Sequence, residues 1–140
     1  MNLVKKGKRL LIENGYTFVA LKNDEIYSSN LHGIKPLMSK VFVSNDYFKD
    51  YTVIDRVVGR AAALLLIRSK VKYIHGIVLS KPAKELLEEY HIDYSYDQLV
   101  PYITSRDKKR MCSLEVSISN IRGLERGFKV LCKEVVEKSR

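Results

Sequence analysis

The segment from Ala61 to Ile67 reads Ala-Ala-Ala-Leu-Leu-Leu-Ile, bracketed by Arg60 and Arg68, and it is the feature that most limits the fold. Extended back through Val53, Ile54, Val57 and Val58, it predicts a helix over Val53 to Ser69 that is apolar around most of its circumference. Such a helix belongs inside, covered by a sheet and by neighbouring helices. The run is far short of the ~18 apolar residues that a membrane span requires, so it argues for a layered domain and against a transmembrane one. With 140 residues, 46% of them hydrophobic, the chain can bury a substantial core. It has no Pro/Gly/Ser-rich linker and no repeat period, so residues 1–140 read as a single domain whose first helix covers 1–14.

Around that helix the pattern alternates between helical and strand periods. The opening helix stops at Asn14-Gly15, with Leu3, Leu10 and Leu11 on its buried side and Lys5, Lys6, Lys8 and Arg9 in solvent. Tyr16 to Leu21 is rich in β-branched and aromatic residues, and Asn23-Asp24 turns it into Glu25 to Ser28, a hairpin. Ile34, Leu37, Met38, Val41 and Phe42 mark one face of a helix started near Pro36. Val71 to Leu79 reads as a central strand. Ser80 and Pro82 open an amphipathic helix carrying Ala83, Leu86, Leu87 and Tyr90. His91 to Tyr96 and Leu99 to Ile103 supply one or two further strands, and Leu124, Phe128, Leu131 and Val135 a terminal helix. The order is that of an α/β layered domain, whose ligand site should lie at strand C-terminal ends and adjoining helix starts.

Charge narrows the partners without naming one. Lys plus Arg number 25 and Asp plus Glu 16, a formal +9, which favours nucleic acid, nucleotides or acidic proteins. The excess gathers at Lys5 to Arg9 and again at Arg106, Lys108, Lys109 and Arg110. Cys112 and Cys132 form neither a disulfide framework nor a Cys-x-x-Cys knuckle. Leu10-Leu11-Ile12 is too brief for a signal-peptide core, so a cytoplasmic location with no membrane partner is the expectation.

Two segments, Thr52-Val53-Ile54-Asp55-Arg56-Val57 and Leu79-Ser80-Lys81-Pro82-Ala83-Lys84-Glu85-Leu86, together with the element order, resemble the cytidine-deaminase-like fold. The resemblance implies a three-layer α/β/α sandwich with a mixed sheet. Active zinc deaminases carry His-x-Glu in the first segment and Pro-Cys-x-x-Cys in the second. Here Asp55-Arg56-Val57 and Pro82-Ala83-Lys84-Glu85-Leu86 stand in those places. Ala83 and Leu86 cannot bind zinc and Val57 cannot carry a proton, so the resemblance implies no metal site and no zinc-dependent deamination.

From Leu10 onward the chain more closely resembles a bacterial domain family of unknown function with that fold. The residues are Gly33-Ile34-Lys35-Pro36-Leu37, the stretch Asp55 to Leu65, Leu99-Val100-Pro101-Tyr102-Ile103, and Cys112 with Glu115. In that family a Pro often follows the Cys, where this chain has Ser113. The resemblance supplies a fold and no reaction, and leaves catalytic residues unassigned. Relatives with this fold often self-associate, which makes a homo-oligomer the fold-level expectation.

On this basis the degenerate pocket is expected to bind a nucleotide or related phosphate-bearing ligand, with no other cofactor. The candidate ligand-binding residues are Lys35, Asp55, Gly59, Ser80, Arg106, Cys112 and Glu115. Asp55 would select hydroxyl or amino groups; equally, Thr52-x-x-Asp55 reads as a capping box with Asp at N3. Lys35 and Arg106 would meet phosphate, and the free N–H groups near Ser80 and Pro82 suit an anion. Gly59 permits either close ligand approach or helix packing. Cys112 and Glu115 would share a helix face at the rim, although alternation at Leu114, Val116 and Ile118 also permits a strand. His75 reads as a hydrogen-bonded core residue. Two alternatives remain: RNA or an acidic partner bound through the basic face, with Tyr90, Tyr94, Tyr96 and Tyr102 available for stacking, and a Cys112-dependent enzyme.

Overall fold

In the computed structural model, which describes residues 2–41, 43–104 and 112–138, the elements run α1 (Asn2–Asn14), β1 (Phe18–Lys22), β2 (Glu25–Ser29), α2 (Lys35–Val41), β3 (Thr52–Val58), α3 (Arg60–Arg68), β4 (Tyr73–Ser80), α4 (Lys81–Glu89), β5 (Asp93–Val100), α5 (Ser113–Ile118) and α6 (Leu124–Lys138). The strands form one mixed open sheet in the order β2-β1-β3-β4-β5. β1 is antiparallel to β2 and β3, whereas β3, β4 and β5 run parallel.

The apolar stretch that dominates the sequence is therefore not one helix. Its first half is β3, in which Val53 pairs with Ala20 of β1 and Ile74 of β4. Val53, Ile54, Val57 and Val58 are β-branched and fit a pleated, two-sided pairing. The helix begins only after Gly59, which is extended (φ −97°, ψ −176°) and serves as its N-cap. A buried strand and a buried helix are both continuously apolar, so periodicity could not separate them. The capping-box reading of Thr52 and Asp55 falls with the longer helix, because both residues lie in a strand.

Alternation along the strands distributes side chains to two cores. Val19, Leu21 and Ile54 pack with Leu11 beneath α1. Phe18, Ala20 and Val53 face the larger core that includes Leu64, Leu65 and Leu66 of α3. Helices thus cover both faces, α1 one of them. Close seating of α1 depends on Gly7, because the Ile54 side chain fills the space a Cβ would take there. Leu3, expected on the buried side, is 37% exposed; Leu11 carries that contact.

Other boundaries follow local chemistry. Asn23 adopts a left-handed conformation (φ 54°) at the hairpin turn. Lys35–Val41 buries Pro36, Leu37, Met38 and Val41; Phe42 lies outside the described residues. β4 is an interior strand, and the two segments after α4 resolve into the single strand β5. The Cys112–Glu115 segment is helical: Cys112 is the N-cap of α5, a short helix absent from the expected element order. Among the described residues, no helix is long and apolar enough to cross a membrane.

Candidate functional site

β3 delivers its last residues to the place where parallel and antiparallel pairing meet, with β1 on one side and β4 on the other. A cavity of about 380 Å³ opens there. Asp55 and Val57 of β3, Gly59, Ala61 and Ala62 at the start of α3, and Cys112, Leu114 and Glu115 of the α5 segment line it. Thr17, His32, Gly33 and Ile34 contribute from the loops beside β1 and α2. Carboxyl ends of strands next to a change in sheet direction are where α/β folds place ligands.

Asp55 is pinned in mid-sheet by register with Phe18 and Gly76. Its side chain is 6% exposed, and its Oδ1 accepts the Val57 N–H at 3.3 Å. Burial pushes its carboxyl up to about 8, against the pull of the Val57 and Arg56 N–H groups. It therefore holds a proton at neutral pH. Its neighbour Arg56 also lines the cavity but commits its guanidinium to the backbone: Nε and Nη2 donate to the carbonyls of Tyr16 (2.7 Å) and Leu11 (3.2 Å), tying β3 to the end of α1.

Glu115 does different work. Its Oε1 accepts the Arg60 N–H at 2.6 Å and its Oε2 the Ala61 N–H at 2.8 Å. It thereby satisfies donors that every helix start leaves free. Burial pushes this carboxyl above the usual range, while the two N–H groups and the Arg60 charge pull it down. Gly59 is what admits it, since a Cβ there would stand 2.5 Å from Oε1. Cys112 is a half-buried free thiol whose N–H donates to the Ile103 carbonyl at 2.9 Å.

The structure thus brings Asp55, Gly59, Cys112 and Glu115 together and separates the other candidates from them. Lys35 is exposed at the start of α2, next in sequence to Ile34 of the lining. Ser80 is fully buried and its hydroxyl accepts the Ala83 N–H at 3.1 Å, a helix cap outside the cavity. Arg106, with Lys108 to Arg110, lies outside the described residues. Sequence reasoning missed Thr17, His32 and Gly33 as lining residues. Only the left-handed Gly33 (φ +65°) carries a local signal, that of a turn; proximity to Asp55 comes from sheet pairing.

Zinc does not fit the deaminase-type positions. Ala83 and Leu86 are packed in the core, and no cluster of three or more His, Cys, Asp or Glu suited to a metal occurs among the described residues. His75 is also a core residue: it is 4% exposed, with Nδ1 2.6 Å from Ser95 Oγ and Nε2 3.3 Å from Asp97 Oδ1.

No curated protein matches the chain. A solved structure of a DUF1893 family protein (TM1506) from Thermotoga maritima is similar to it at 30% identity and a TM-score of 0.88, covering 95% of this chain and 90% of that one. The family described as Domain of unknown function (DUF1893) matches residues 6–135, from α1 through α6. The sheet and cavity described above thus lie within the matched region, and the chain belongs to the DUF1893 family.

Proposed function

We propose that the cavity at the end of β3 binds a nucleotide or related phosphate-bearing small molecule, in a pocket of deaminase-like ancestry that performs no zinc chemistry. One observation carries this reading: Asp55 and Gly59 line a single cavity of about 380 Å³ together with Cys112 and Glu115, which lie more than fifty residues further along the chain. That volume lies in the range of small-molecule sites. Apolar walls from Ile34, Ala61 and Ile103 suit a flat base, and Asp55 supplies a polar contact within them. Lys35, exposed and next in sequence to Ile34 of the lining, would meet the phosphate from the rim.

Titration of isotope-labelled protein with AMP and UMP, followed by amide NMR shifts, tests the reading. Shifts at Gly33, Gly59, Ala61 and Ala62 are expected. Absence of shifts there, or binding of arbitrary RNA that weakens steeply with salt and ignores Asp55→Ala, would replace this reading with that of a basic nucleic-acid surface.

A further inference from the structure

Most polar groups around the cavity are already committed. Glu115 gives both oxygens to the Arg60 and Ala61 N–H groups. Arg56 turns its guanidinium to the Tyr16 and Leu11 carbonyls. The Thr17 hydroxyl lies 3.1 Å from the Ser29 carbonyl and bonds to it. Asp55 differs: it is more than nine-tenths buried, lines the cavity, and among the described residues meets the Val57 N–H at a long 3.3 Å and the pull of the adjacent Arg56 N–H, with no side-chain or ion-pair partner. The titratable groups that share the lining are His32 from the loop before α2, Cys112 and Glu115 from the α5 segment, and Arg56 on β3 itself.

A neutral carboxyl presents one donor and one acceptor side by side; an ionised one presents acceptors alone. The adjacent N–H and C=O of a pyrimidine, or the amino group and ring nitrogen of adenine, match the neutral form with two parallel hydrogen bonds. Resting on the ligand-pocket reading above, we propose that Asp55 reads its ligand through a paired donor and acceptor, selecting heterocycles with an amide- or amidine-type edge over cations that offer donors only. Burial supplies the proton this needs, since the Asp55 carboxyl is pushed up to about 8. Glu115, held by backbone N–H groups, stays outside the recognition.

Calorimetric titration of the full chain with adenosine, uridine, N3-methyluridine and benzamidine tests this, with circular dichroism confirming the fold of each variant. Adenosine or uridine is expected to bind at pH 6.5, and methylation at N3 to weaken uridine at least tenfold. Adenosine should bind about tenfold more weakly at pH 9 than at pH 6.5, as a carboxyl titrating near 8 loses its proton. Asp55→Asn, which keeps a donor and an acceptor, should hold affinity within about threefold and abolish the pH dependence, whereas Asp55→Ala should lose tenfold or more. Benzamidine binding more tightly than adenosine and uridine at pH 6.5, and more weakly in Asp55→Asn at that pH, would show an ionised Asp55 and overturn the inference. Adenosine affinity unchanged in Asp55→Ala, with the Gly59 amide still shifting, would overturn it and leave the pocket reading intact. Failure of every probe, AMP and UMP included, to bind the folded wild type would remove both.

Discussion

The Oε1 atom of Glu115 lies 2.6 Å from the backbone nitrogen of Arg60, so a residue near the end of the chain caps the helix at its centre. Together with the Ala61 contact, this closes the start of α3 with a carboxylate, where the helix dipole favours negative charge. It also defines one wall of the cavity and couples the α5 segment to β3.

Glu115→Ala should cost about 2–4 kcal/mol in urea unfolding, because it strands two buried N–H groups and leaves a hole. Gly59→Ala should cost about 1–3 kcal/mol by pushing the carboxylate from its seat. The double variant should cost less than the two losses added, since both act on one contact. Additive losses would mean that Gly59 and Glu115 act independently.

The raised Asp55 carboxyl makes stability fall with pH. Between the ordinary value of 3.8 and about 8 the folded chain keeps a proton that the unfolded chain releases, so each pH unit in that window removes up to about 1.4 kcal/mol. Below the window both states are protonated, and above it both are ionised. Asp55→Asn should therefore gain on the wild type progressively from pH 5 to pH 8 in denaturant titrations. A constant difference across those pH values would refute the assignment.

His75 and Asp97 should separate as core and surface. His75→Ala opens a buried hole and strands the Ser95 hydroxyl, with an expected loss of about 2 kcal/mol or more. Asp97 is 40% exposed and bound by Lys8 at 3.0 Å, and Asp97→Asn should cost less than about 1 kcal/mol. Desolvation pushes the Asp97 carboxyl up, but Lys8 and His75 outweigh it and hold it below the usual range. Its small contribution is accordingly present at neutral pH and lost in acid. The reverse ranking of the two variants would contradict the geometry.

Cys112 lines the cavity and Cys132 does not. Saturating AMP or UMP should slow iodoacetamide labelling of Cys112 several-fold and leave Cys132 unchanged, read by mass spectrometry of the digested protein. Equal protection of both thiols would point to global stabilisation; unprotected Cys112 would place any bound ligand elsewhere.

Local chemistry settled much of the fold before any contact was known. Asn14-Gly15 stops α1, Asn23-Asp24 turns the hairpin, and Ser80 with Pro82 starts α4, because capping and turn formation are decided within a few residues. The 3.6-residue pattern located α2, α4 and α6 for the same reason. Tertiary structure alone decided that Thr52–Val58 is a strand, since only pairing with β1 and β4 distinguishes it from a buried helix. That single change moved Asp55 from a helix cap to a buried acid in a cavity. The role of Glu115 was equally invisible: its partners Arg60 and Ala61 are more than fifty residues away, and backbone N–H groups leave no mark on sequence. The sequence named Asp55, Gly59, Cys112 and Glu115 as candidates; their convergence, and the protonation that burial imposes on Asp55, exist only once the sheet has closed.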